Sequence, residues 1–171
     1  MKRRLALAAL AVLTSALGVS GAQARDAVLA EDQVSEEALL SALDPPVTRA
    51  WKGAQRPPAK ASLLITFVTN SAELSSGSHR MLDLLAAAMK NERLAQARFA
   101  IEGHADKRGG EALNRRLSQE RAASVRDYLV ARHGLDAARL QPVGKGSSEP
   151  LNARVPAAPE NRRVTIVARR P

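Results

Sequence analysis

Hydrophobic and polar positions along the chain alternate between two periods. "SLLITFV", residues 62–68, is apolar and partly β-branched over the length of a strand, and "ARFAIEGH", 97–104, repeats that character. "RLQPVG", 139–144, reads as a short third strand, and "RRVTIVAR", 162–169, alternates as a last one. Between them, "SSGSHRMLDLLAAAMKN", 75–91, sets Met81, Leu85, Ala88 and Met89 at helical spacing. Residues 111–133 hold the longest helical pattern, and Gly134 is a natural C-terminal stop. "KGSSEPLNARVPAAPEN", 145–161, has the composition of a loop. The order is βαβαββ. It predicts an α/β two-layer (α+β) sandwich, a mixed sheet with helices packed on one face. The domain, 61–171, is long enough for one core. Aromatic residues are only 2% of the chain, so Leu, Val, Ile, Met and Ala must fill that core.

The N-terminal third reads differently. Lys2, Arg3 and Arg4 precede an apolar run from Leu5 to about Val19, and Ala22-Gln23-Ala24 is a small-residue cleavage site. That is the form of a secretory signal over 1–24. Residues 25–60 read as a flexible linker. Within it, 35–43 can form a short helix with Ser35 as its N-cap, stopped by "DPP". Trp51 lies in this linker, free either to dock on the domain or to face solvent.

Charge narrows the partners. The whole chain is +9, and without the three signal cations it is +6. The excess sits in 61–171, which has 18 basic and 11 acidic side chains. Such a domain suits an anionic partner, or simply carries its arginines as solvated surface. There is no cysteine, hence no disulfide, and no acylation site beside the cleavage point. After the signal no apolar run is long enough to span a membrane as a helix, which predicts a soluble exported protein in the periplasm.

The chemistry concentrates where the second strand ends. "FAIEGHADKRGG" leaves Asp106 beside Lys107 and Arg108, cations able to satisfy it within the chain. On the following helix, Leu113, Leu117, Val125, Tyr128 and Leu129 share one half. Arg121 falls in the middle of that apolar arc, with Asn114 beside it. A guanidinium there is costly to bury unless an anion meets it. Asp106 and Arg121 could converge on one ligand site, or form a plain ion pair tying loop to helix.

These motifs carry a resemblance. "IEGHADKRGGEALNRRLSQERAASVRDYL", then "GLDAARLQPVGKGSSEP" and "NRRV", resemble the OmpA C-terminal-like, peptidoglycan-binding family over about 61–171. That family includes outer-membrane porins, peptidoglycan-associated lipoproteins and flagellar stator proteins. The resemblance implies a βαβαββ sheet and a site for the diaminopimelate of the stem peptide. It implies that Asp106 takes the ammonium and Arg121 a carboxylate. Asn114, Leu117, Ser118, Ala122 and Val125 match the helix motif. Asn161, Arg162 and Arg163 match the late motif, and Asn70 falls where the first strand closes beside the ligand. Asn70, Asn114, Arg162 and Arg163 are thus implied site residues with Asp106 and Arg121. Ala105 stands where the family has threonine, and the glycine loop lacks its usual aromatic.

Other chemistries fit less well. Glu102, His104 and Asp106 share strand parity, but no further ligand lies at metal spacing, so neither a metal nor a hydrolase is expected. "GKGSS", 144–148, fails as a phosphate loop, because Arg139 stands where its first glycine belongs and Gly146 follows Lys145. Low aromatic content and the export signal argue against a nucleic-acid partner. The expectation is a binding protein and not an enzyme, without a cofactor. It would anchor itself, or an envelope complex reached through 25–60, to peptidoglycan. Binding of other anionic polymers is the alternative.

Overall fold

The computed structural model describes residues 27–45, 58–69 and 71–170. The expected signal over 1–24, Trp51 and Asn70 lie outside the described residues. Five strands form one sheet: β1 (Ala27–Leu29), β2 (Ala59–Leu63), β3 (Arg98–His104), β4 (Leu140–Gly146) and β5 (Val164–Arg169), in the order β1-β2-β5-β3-β4. β5 runs antiparallel to both β2 and β3, while β1–β2 and β3–β4 are parallel pairs. Three helices, α1 (Glu36–Leu43), α2 (Ser76–Lys90) and α3 (Glu111–His133), cover one face. This is the mixed α+β sandwich that the pattern predicts.

The core sits between that face and the helices. Leu63, Val164, Ile166, Phe99 and Ile101 meet Met81, Leu82, Leu85 and Met89 of α2 and Ala122, Val125 and Leu129 of α3. Arg139 clamps one end. Its guanidinium donates to the carbonyls of Ala97, Met89 and Leu94 at 3.0, 3.2 and 2.8 Å and lies over the Phe99 ring.

The linker expectation for 25–60 is corrected over its described part. β1 extends the sheet beside β2, and α1 buries Leu39, Leu40 and Leu43 in the core. Ser35 does cap α1, accepting from the Ala38 N–H at 3.1 Å. An eight-residue helix is marginal by itself, so burial of its leucine face holds it in place.

The first expected strand is also shifted. The sheet strand is 59–63, and the chain then leaves the sheet with Ile65 still buried. Ser78, on α2, ties down this exit: its hydroxyl accepts from the Thr66 N–H and donates to the Thr66 carbonyl, both at 2.9 Å. The freed segment 64–69 becomes a wall of the cleft described below.

Helix α3 keeps the predicted ends, with Gly134 left-handed (φ 64°) at its C-cap. Its buried face differs from the predicted one. Asn114, Ser118, Ala122, Val125 and Leu129 point inward, whereas Leu113 is 53% exposed. The reason is close approach to the sheet. A Cβ on Gly103 would lie 2.1 Å from the Ser118 carbonyl oxygen, and one on Gly144 would lie 2.7 Å from that of Arg115. Only small residues fit a helix that close to two strands. Polar ties complete the contact: the Ser118 hydroxyl accepts from the Gly146 N–H at 2.9 Å, and the Gln119 Oε1 accepts from the Gly144 N–H at 2.6 Å.

Candidate functional site

Rotating the small residues inward puts Leu113, Leu117 and Arg121 on the flank of α3. There they face the segment 64–69 across a cleft of about 740 Å³. Arg121 therefore stands at the edge of the buried face, not in its middle. Asp106 enters the cleft from the end of β3, and Arg162 from the turn before β5.

Asp106 is buried and heavily engaged. Its carboxylate accepts from the Arg108 backbone N–H at 2.9 Å and from the Arg108 guanidinium, with Nη2 at 2.7 Å. Arg162 Nη1 donates to the same carboxylate at 2.7 Å. The Arg108 hydrogen bond, then that of Arg162, hold this carboxyl well below the usual carboxylate range, against the opposing effect of burial. Asn114 Nδ2 donates to the Asp106 backbone carbonyl at 3.0 Å, so it positions the acid's loop from within the interface.

Arg121 has a different environment. It is half-buried, its Nε donates to the Ser71 carbonyl at 3.1 Å, and its guanidinium lies 4.8 Å over the Phe67 ring. Among the described residues no carboxylate lies within ion-pair distance of it. Burial, then the repulsion of Arg162, press its pKa down, and the field of Asp106 opposes them. The plain Asp106–Arg121 ion pair is thus not formed. The acid pairs with Arg108 and Arg162, and Arg121 lines the cleft without a carboxylate partner among the described residues.

The remaining motif residues divide. Arg162 and Arg163 both line the cleft. Arg163 is buried, and its Nη2 donates to the Glu149 carbonyl at 3.2 Å. Asn161 knits the preceding loop, donating to the carbonyls of Asn152, Val155 and Pro156. Phe67, beneath Arg121, went unnoticed in the sequence, although only two phenylalanines occur in the chain.

Parity along β3 also misleads for metal chemistry. A register irregularity follows Gly103, and Asp106 lies beyond the strand's end. Glu102 and His104 instead lie near Glu149, 45 residues beyond His104, which no sequence spacing indicates. Burial, then the Arg163 charge, push the His104 imidazole down to about 3, so the ring is neutral.

The OmpA family profile matches residues 66–163, which contain α2, β3, α3 and β4 and the charged residues of the cleft. The chain belongs to the OmpA family. It is 38% identical over 105 residues to the peptidoglycan-binding protein ArfA of Mycobacterium tuberculosis, covering 60% of this chain and 31% of that one. The chain thus spans about a third of that relative's length. Among solved structures, the peptidoglycan-associated lipoprotein of Burkholderia pseudomallei superposes with a TM-score of 0.51 at 27% identity, over 63% of this chain and 89% of that one. The cell wall anchor of the T6SS from Pseudomonas aeruginosa superposes with a TM-score of 0.53 at 29% identity, over 67% and 82%. In this OmpA-like domain, Asp106 and Arg108 after β3, Arg121 of α3, and Arg162 and Arg163 before β5 line the cleft.

Proposed function

We propose that this OmpA-like domain binds peptidoglycan non-covalently, through the diaminopimelate of the stem peptide, and so anchors an envelope protein or complex at the wall. The observation that carries this reading is Arg121. It is a half-buried guanidinium turned to a cleft, with no carboxylate partner among the described residues and a buried carboxylate, Asp106, on the same cleft. The far end of diaminopimelate carries an ammonium and a carboxylate on one carbon. An acid and a fork-shaped cation on two walls of a cleft suit that zwitterion. Leu113 and Leu117 supply an apolar wall for its methylene chain.

The relatives support the same reading, since one is named for peptidoglycan binding and one as a cell wall anchor. The domain acts as a binding module, not an enzyme. Its place is the periplasm, reached by export, and the partner complex attaches through 25–60. Among the described residues no helix is long and apolar enough to cross a membrane.

Co-sedimentation with purified sacculi tests the proposal. Asp106→Ala and Arg121→Ala are each expected to abolish pelleting, while circular dichroism reports an intact fold. Folded variants that pellet like the wild type would overturn it.

A further inference from the structure

A second set of donors lies where β3 turns away from the helices. Gly103 faces α3, so Glu102 and His104 take the other side of the strand. Glu149 comes down on them from the loop after β4. One donor atom from each of the three lies within 4.8 Å of the others. The Glu102 and His104 side chains are 11% and 1% exposed. Neither ring nitrogen of His104 has a hydrogen-bond partner among the described residues. The approach of Glu102 Oε2 to His104 Nε2, at 4.0 Å, is beyond hydrogen-bond reach. A buried imidazole ordinarily donates from one nitrogen and accepts at the other. Leaving both idle is costly, and a ligand on one of them removes part of that cost.

The carboxylates are already arranged around positive charge. Lys145, at the register irregularity in β4, places its ammonium 2.8 Å from Glu149 Oε1 and 3.4 Å from Glu102 Oε1. Its side chain is 26% exposed, on a stem long enough to swing into water.

We propose that Glu102, His104 and Glu149 form a site for a divalent transition metal, zinc being the ion that fits best, and that Lys145 is the cation it displaces. Imidazole nitrogen and carboxylate oxygen are both zinc donors, and three protein ligands leave a fourth position for water. Calcium and magnesium require more oxygens than the group offers. Zinc bonds of about 2.0–2.2 Å bring tetrahedral donors to roughly 3.4 Å from one another. The donors must therefore close by about an ångström, and Glu149 can move, because its side chain is half-exposed on a loop. Among the described residues neither ring nitrogen of His104 is engaged in a hydrogen bond, so a ring lone pair is open to a metal. The charges of Arg163 and Lys60 face the same ring and oppose a dication. They make the site weaker than a closed four-ligand one. A bound ion would pin the loop carrying Glu149 to β3.

Calorimetric titration of the full chain with zinc sulfate, near pH 7 in a non-chelating buffer, tests the site. One zinc per chain is expected. Glu149→Gln should weaken uptake at least about tenfold. Lys145→Met should tighten it by a similar factor, because the competing ammonium is gone. Neither change disturbs the core. The chain has three histidines, so ring resonances can be assigned, and the His104 ring should shift on adding one equivalent. No uptake near about 1 mM zinc overturns the proposal. So does uptake indifferent to Glu149→Gln, uptake weakened by Lys145→Met, or a shift confined to His79 and His133.

Discussion

The guanidinium of Arg108 holds the carboxylate of Asp106 from two residues away, with Nε at 3.2 and 3.1 Å and Nη2 at 2.7 Å. Arg108 is 67% exposed in its side chain, whereas Asp106 is 6% exposed. The buried acid is thus covered by a cation that can leave. A ligand ammonium that comes to Asp106 must take the place of that cation.

Arg108→Ala is therefore expected to strengthen binding. The pair is solvent-exposed on one side, so the gain is modest, roughly two- to fivefold in the dissociation constant. Titration of a diaminopimelate stem peptide against wild type and variant measures it. Weaker binding by the variant would mean that Arg108 holds the ligand instead of competing with it.

Lysine differs from diaminopimelate by one carboxylate at the far end of the side chain. Under the proposed binding mode, Asp106 would still find an ammonium in a lysine-type stem peptide, but Arg121 would find no anion. A charge-assisted hydrogen bond contributes about 1.5–3 kcal/mol. Affinity for the lysine form should fall by about tenfold or more at fixed salt. Equal affinity for the two forms would return Arg121 to a purely structural role on Ser71 and Phe67.

Arg139 should matter to stability and not to binding. It satisfies three backbone carbonyls at the end of the core, far in sequence from the cleft residues. Arg139→Ala is expected to cost about 3 kcal/mol in urea unfolding, since those carbonyls lose charged donors. At temperatures where the variant is folded, its pelleting with sacculi should match the wild type.

Gly103 tests the close approach of α3. A Cβ there meets backbone at 2.1 Å, which cannot rotate away as a side-chain tip would. Gly103→Ala should destabilise the domain by roughly 2 kcal/mol or more. It should also weaken sacculus binding, because lifting α3 moves Arg121 relative to Asp106. A variant of wild-type stability would show that the helix has more room than the geometry allows.

Local patterns in the sequence are enough to place α2, α3, β3 and β5, and to end α3 at Gly134, because helical spacing, alternation and a left-handed glycine act over a few residues. They also single out Asp106 and Arg121, an acid at a strand end and a cation beside apolar positions. What they do not carry is which surface each element meets. The inward face of α3 follows from Gly103 and Gly144, which admit the backbone of Ser118 and of Arg115 and Gln119 and leave Leu113 out at the cleft. The incorporation of β1 and α1 depends on a sheet edge and a leucine-lined gap made by residues far along the chain. The pairing of Asp106 with Arg162, and the meeting of Glu149 with His104, join groups separated by 56 and 45 positions. No spacing rule reaches that far. Only the packed sheet brings such groups within a few ångströms, where the cost of burying a charge decides which partner it takes.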